Sequence, residues 1–207
     1  MNDHKRIVVG CDLDDVVADF IKGFMEIAAR KYGVDPDLRP TSWEWDGADM
    51  TKERVDDVWQ EITNTRNWWE TLAVETGVSK RVMQRLNNET QLFFPTARAY
   101  CVGDPVSVQS AVWLHEHFNI SYPTVIVANS KGPLAAALKY DFFIDDRPKN
   151  CIEVKTAVPR CRVFMKTATH NLSTDLSESG IPRIATFDEF AETVLSAKLV
   201  QEGTCLI

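Results

Sequence analysis

The sequence predicts an α/β fold, a doubly wound parallel sheet with a small helical cap inserted after the first strand. Three observations carry this expectation. Short β-branched apolar runs at 7–11, 91–95, 124–128, 140–144 and 162–165 alternate mostly with segments that can be helical, as strands buried on both faces do when crossover helices join them. Four of these runs end abruptly in polar, chemistry-bearing residues. Finally, residues 15–90, 76 in all, separate the first run from the second, although a crossover needs only about a dozen residues.

Taken in order, Ile7-Val8-Val9-Gly10-Cys11 is a short apolar run that stops at Asp12, as a buried parallel strand would. The insert reads as helical at 16–31, 52–63 and 79–86, with a Pro-bearing loop at 35–40 between the first two helices. Asp15 is expected to cap the helix beginning at Val16, because Asp is a favoured N-cap. Trp43, Trp45, Trp68 and Trp69 lie inside the insert, where flat rings either fill a core or face a ligand. Beyond it, helices are expected at 105–117, 132–139 and 150–157, and a last one at 187–195 after the turn Ile181-Pro182. The division expected is a core of 1–15 and 88–207 with a cap of 16–87.

Composition narrows the function. The chain has 207 residues, 44% apolar and 26% charged, enough to bury one sizeable core. A formal charge of −7 argues against broad adhesion to nucleic-acid backbones or anionic membranes, leaving a small ligand as the expected partner and allowing a homodimer. No apolar run approaches the roughly 20 residues that span a bilayer, and no signal peptide is evident, so a cytoplasmic location is expected. Five scattered cysteines without a Cys-x-x-Cys pair suggest reduced thiols rather than a disulfide framework or a zinc site. His4, His115, His117 and His170 show no metal-ligand spacing and read as ordinary surface residues.

In an open parallel sheet, ligands bind beyond the carboxyl ends of the strands. Those ends carry Asp12-Leu13-Asp14-Asp15, Thr96-Ala97-Arg98, Asn129-Ser130-Lys131 and Asp145-Asp146-Arg147-Pro148. Carboxylates converging in one crevice repel and need a cation. Hard oxygen donors without a His or Cys cluster point to Mg²⁺. Lys131 then suits a phosphate as a point charge and Thr96 as a hydroxyl donor. The two-residue step from Asp12 to Asp14 can set one carboxylate to attack phosphorus and the other to move protons. The site therefore reads as one for phosphoryl transfer.

The series Asp12-Leu13-Asp14-Asp15-Val16-Val17, Thr96, Lys131 and Phe142-Phe143-Ile144-Asp145-Asp146 resembles the four motifs of the haloacid dehalogenase superfamily of phosphatases. The continuation through Ala18-Asp19-Phe20, together with Ile144-Asp145-Asp146-Arg147-Pro148, is similar to its 5'(3')-deoxyribonucleotidase branch. The resemblance implies a Rossmann-like core with a small cap and a magnesium-dependent phosphomonoesterase that acts through an aspartyl-phosphate. It further implies Asp12 as nucleophile and metal ligand, and Asp14 as acid/base with its backbone carbonyl on the metal. Thr96 and Lys131 would hold phosphate, and Asp145 and Asp146 would bind metal, one directly and one through water. A (deoxy)nucleoside monophosphate is the substrate expected, with Ala97, Arg98, Trp43 and Trp45 added on the substrate side, since a base stacked on an indole gains about 1 to 3 kcal/mol.

Two departures stand out. Pro95 directly precedes Thr96 and removes a backbone donor, and the long stretch from Lys131 to Asp145 leaves Lys139 as an alternative phosphate-binding lysine. Arg98 and Arg147 suit either phosphate or a structural carboxylate, and Asp19 and Lys22 are placed at the crevice mouth. Other readings remain: a phosphatase of nucleic-acid ends, a silent phosphate-binding protein, and a signalling receiver. The motif order disfavours the receiver, which carries its phosphorylated Asp after the third strand.

Overall fold

The computed structural model describes the backbone of residues 6–204 and the side chains of 6–200; His4 and Cys205 lie outside the described residues. The strands are β1 (Val8–Cys11), β2 (Gln91–Thr96), β3 (Thr124–Val127), β4 (Phe142–Asp145), β5 (Arg162–Lys166) and β6 (Arg183–Ile184). They form one sheet in the order β3-β2-β1-β4-β5-β6, parallel throughout. The helices are α1 (Phe20–Tyr32), α2 (Lys52–Asn64), α3 (Lys80–Glu89), α4 (Val106–Phe118), α5 (Gly132–Leu138), α6 (Pro148–Ala157) and α7 (Phe187–Thr204). The α/β sheet, its Rossmann-like winding and the helical insert after the first strand are as the sequence predicts.

Alternation along the strands builds a core on each face of the sheet. Val9, Cys11, Phe142 and Ile144 point to one side with α1, the insert and α7. Val8, Phe143, Val163 and Met165 point to the other, where Cys151 and Val154 of α6 cover them. A side chain at Gly10 would bring its Cβ to 2.4 Å from the Tyr140 ring, so the bare backbone lets that buried ring lie against β1. The chain runs outward from β1 to β3, then returns to β4 on the opposite side of β1. This reversal opens the crevice between the carboxyl ends of β1 and β4.

The β1–β2 register runs from Val8↔Gln91 to Gly10↔Phe93. Thr96 turns its carbonyl to β3, accepting from Ala128 N–H at 2.8 Å, so Pro95 faces the β1 side, past the end of that pairing. The β1–β2 ladder stops there because its next bond would need a donor at position 95.

Several expectations need correction. The first helix begins at Phe20 with Asp19 as its N-cap, not at Val16. Residues 13–18 instead fold back, the Leu13 carbonyl accepting from Val17 and Ala18 N–H at 2.9 and 2.8 Å. Asp15 is therefore a buried turn residue with φ of 54°, a conformation Asp tolerates better than most. β6 and the 3-10 turns at Trp68–Glu70, Thr169–Asn171 and Ser177–Ser179 carry too few residues to show a period. In the insert α1 packs on α2, whereas α3 lies against α7, α4 and β2. Cys11, Cys101, Cys151 and Cys161 are free and buried. No helix of the described residues is long and apolar enough to cross a membrane.

Candidate active site

The ends of β1 and β4 and the start of α5 bring the principal residues together. Lys131, the N-cap residue of α5, donates from Nζ to Asp12 Oδ1 at 2.5 Å and to Asp145 Oδ2 at 2.6 Å. All three side chains are buried. Burial works against the Lys131 ammonium, but the Asp12 and Asp145 charges outweigh it and hold its pKa above the usual lysine value. Lys139, by contrast, is the exposed residue that ends α5, so Lys131 is the lysine at the carboxylate cluster.

Asp145 also accepts from Arg147 N–H at 2.8 Å and from Asn150 Nδ2 at 3.1 Å to both oxygens. Both contacts come from the first turn of α6, whose N-terminus favours negative charge. Asp12, Asp145 and Asp146 each present a carboxylate oxygen within 4.8 Å of the others. Burial, against the pull of Lys131, pushes the Asp12 and Asp145 carboxyls above the usual carboxylate range. One ammonium among three buried carboxylates leaves two negative charges over. An all-oxygen donor set with that excess fits a hard divalent cation such as Mg²⁺. The Asp14 carboxylate does not join this set.

Asp14 instead faces Arg98, which donates from Nη2 to Oδ1 at 2.8 Å and from Nε to both oxygens at 3.0 and 3.2 Å. The guanidinium is fully buried, bonded through Nη1 to Ser110 Oγ at 2.9 Å and lying 4.9 Å from the Trp69 ring centroid. Thr96 is fully buried at the end of β2 and does not line the cavity that opens over the cluster, and its Oγ1 has no hydrogen-bond partner among the described residues.

A cavity of about 260 Å³ opens over this cluster, lined by Asp12, Asp14, Ala97, Arg98, Lys131 and Asp146, with Phe20, Trp43, Trp59 and Trp69 forming its apolar wall. Trp43 carries the Arg147 guanidinium 4.3 Å above its ring. Trp45 does not line the cavity: it is buried and stacked on Phe24 at 3.9 Å between centroids. Asp19 and Lys22 are also elsewhere. Asp19 caps α1 through Lys22 N–H and pairs with Arg39 at 3.2 Å, while Lys22 borders a separate depression with Arg30 and His117.

His170 corrects the surface reading. It is 6% exposed, hydrogen-bonded through Nε2 to Asp146 Oδ2 at 2.8 Å, and packed 4.3 Å from Trp43. Its neighbour Asn171 donates to the Asp146 carbonyl at 2.7 Å. Phe20, Trp59, Asn150 and His170 were the members the sequence did not single out. Only Phe20, directly after Asp19 on the first helix, carried a local signal.

The family model for 5' nucleotidase, deoxy (pyrimidine), cytosolic type C protein matches residues 6–200, which takes in every residue of this site. The chain belongs to that family. This cytosolic type C nucleotidase family member also has the haloacid dehalogenase fold in its solved neighbours. A predicted phosphatase from Clostridium acetobutylicum superposes with a TM-score of 0.57 at 14% identity, over 93% of this chain and 99% of that one. A haloacid dehalogenase superfamily hydrolase, subfamily IA, from Geobacter sulfurreducens gives 0.56 at 12% identity, over 91% and 96%. A haloacid dehalogenase-like family hydrolase from Xanthomonas campestris gives 0.51 at 13%, over 97% and 99%. At such identities these likenesses carry the fold alone. No curated protein matches the chain. Family and fold together make the protein a phosphatase of the haloacid dehalogenase type.

Proposed function

We propose that the protein is a magnesium-dependent phosphomonoesterase that hydrolyses (deoxy)nucleoside monophosphates through an aspartyl-phosphate on Asp12. The observation that carries this reading is the Asp12–Lys131 contact of 2.5 Å at the floor of a cavity walled by three tryptophans and a phenylalanine.

Asp12 is the carboxylate that faces the substrate phosphorus. Its pairing with Lys131 favours the ionised, nucleophilic form that burial alone would suppress. Lys131 holds non-bridging phosphate oxygens. Asp12, Asp145 and Asp146 hold the cation, which supplies charge neutralisation for the phosphoryl group. Asp14 gives a proton to the leaving alcohol and takes one from the water that cleaves the acyl-phosphate, its carboxylate held in place by Arg98. The insert acts as a cap, keeping water from the phosphoryl group and offering Trp43, Trp59 and Trp69 to the base.

The family's name supports a deoxynucleotide substrate, and the cavity volume of about 260 Å³ suits one small ligand better than a nucleic-acid end. The test is phosphate release from 5' and 3' monophosphates of each nucleoside, with and without Mg²⁺. Metal-dependent turnover of a nucleoside monophosphate is expected from the wild type and none from Asp12→Asn. Full turnover by that variant overturns the nucleophile, and preference for a non-nucleotide ester overturns the substrate.

A further inference from the structure

A second cavity of about 310 Å³ has a wall that includes Asp15, Asp19, Arg39, Glu75, Lys166 and His170. Arg39 pairs there with Asp19 at 3.2 Å and Lys166 with Glu75 at 3.2 Å, while His170 Nε2 is hydrogen-bonded to Asp146 Oδ2 at 2.8 Å. Asp15 is left over. It is 4% exposed, its Oδ1 accepts from Ile21 N–H at 3.0 Å, and its Oδ2 has no partner among the described residues.

A buried carboxylate oxygen without a partner is costly, and a cation bound at that oxygen removes the cost. A carboxylate oxygen of Asp15, one of Asp146 and an imidazole nitrogen of His170 lie within 4.8 Å of one another, all three residues buried. Two carboxylates and an imidazole form a mixed oxygen–nitrogen donor set. Such a set takes borderline transition metals in preference to Mg²⁺, which dehydrates reluctantly and favours oxygen. Three protein ligands leave coordination positions for water, and the cavity has room for it.

We propose that Asp15, Asp146 and His170 form a second divalent-cation site, of the zinc, manganese or cobalt class, beside the Asp12–Asp145–Asp146 cluster and sharing Asp146 with it. The cation gives the Asp15 oxygen its missing partner and replaces the hydrogen bond by which His170 now holds Asp146. The site stands on its own three residues and does not depend on the nucleotidase reading, since cation binding is measured without substrate.

Cobalt(II) serves as the probe, titrated into the full-length, chelator-stripped protein in saturating Mg²⁺ and followed by visible absorption and equilibrium dialysis. One Co²⁺ per chain is expected to remain bound against Mg²⁺, with a spectrum that reports nitrogen ligation, and Zn²⁺ should displace it. His170→Gln and Asp15→Asn should each weaken Co²⁺ by at least about 100-fold. Asp15→Asn keeps both size and the Ile21 hydrogen bond, so it tests the site even if the His170 variant misfolds. Asp12→Asn should leave Co²⁺ binding in place, whatever it does to phosphate release. The proposal is overturned if no Co²⁺ is retained over Mg²⁺, if Asp15→Asn binds it as tightly as wild type, or if binding disappears with Asp12→Asn and survives with His170→Gln.

Discussion

Arg98 holds Asp14 in a forked ion pair, Nη2 to Oδ1 at 2.8 Å and Nε to Oδ1 at 3.0 Å, across 84 positions of sequence. The guanidinium is itself clamped between Ser110 and the Trp69 ring, so the orientation of Asp14 is inherited from α4 and the insert. Lysine has the charge but not the fork and cannot stack in the same way. Arg98→Lys is therefore expected to lower kcat on the order of 10²-fold, the lower range for a displaced acid/base group, with a smaller change in KM. Steady-state kinetics on one nucleoside monophosphate check this, and a variant changed only in KM places Arg98 on the substrate instead.

Lys131 donates to two carboxylates at once. Replacing it with Met leaves Asp12 and Asp145 buried without their cation, at a cost of about 3 to 5 kcal/mol. Thermal unfolding in chelator should show the loss, and Mg²⁺ should restore part of it by giving the carboxylates another counter-charge. A variant as stable as wild type in chelator contradicts the charge balance drawn for the site.

These two contacts mark what was legible in sequence. The four strand ends announced themselves because each apolar run stops at a reactive residue, and a parallel sheet gathers such ends in one place. The meeting of Asp12, Lys131 and Asp145 therefore needed only the topology. The link from Arg98 to Asp14 depends on how the insert packs, which no local period encodes. His170 sits on a 3-10 turn after β5, where nothing in the neighbouring residues signals burial. Trp59 occupied an ordinary apolar position of an amphipathic helix, and Trp45 shared a short loop with Trp43 although only one of them reaches the cavity.

Asp15 gives stability a pH dependence of definite sign. Burial first, then the charge of Asp146, raises its carboxyl well above the usual range, so the folded state holds the proton more tightly than the unfolded chain. This contribution is fully present below the ordinary carboxylate value of about 3.9 and is lost as pH rises towards the folded value. Asparagine cannot ionise. In chelator, Asp15→Asn should gain in Tm over wild type as pH rises from about 4 to 7, and a constant difference across that range contradicts the assignment.

The aromatic wall should separate substrates by their bases. Trp59→Ala removes one face of the cavity, and a lost stacking contact of about 1 to 3 kcal/mol corresponds to roughly 5- to 150-fold in kcat/KM for a nucleoside monophosphate. A small aryl phosphate that does not reach the wall should lose much less. Equal losses on both would remove the wall from substrate recognition.

The central claim is that phosphorus passes through Asp12. Rapid acid quench of the enzyme turning over a nucleoside monophosphate labelled in its phosphate, followed by peptide mapping, tests it directly. Label bound transiently to the peptide that contains Asp12, and absent when Asp12 is replaced by Asn, is the predicted result. Label on another residue, or efficient turnover with no labelled protein at any quench time, contradicts it.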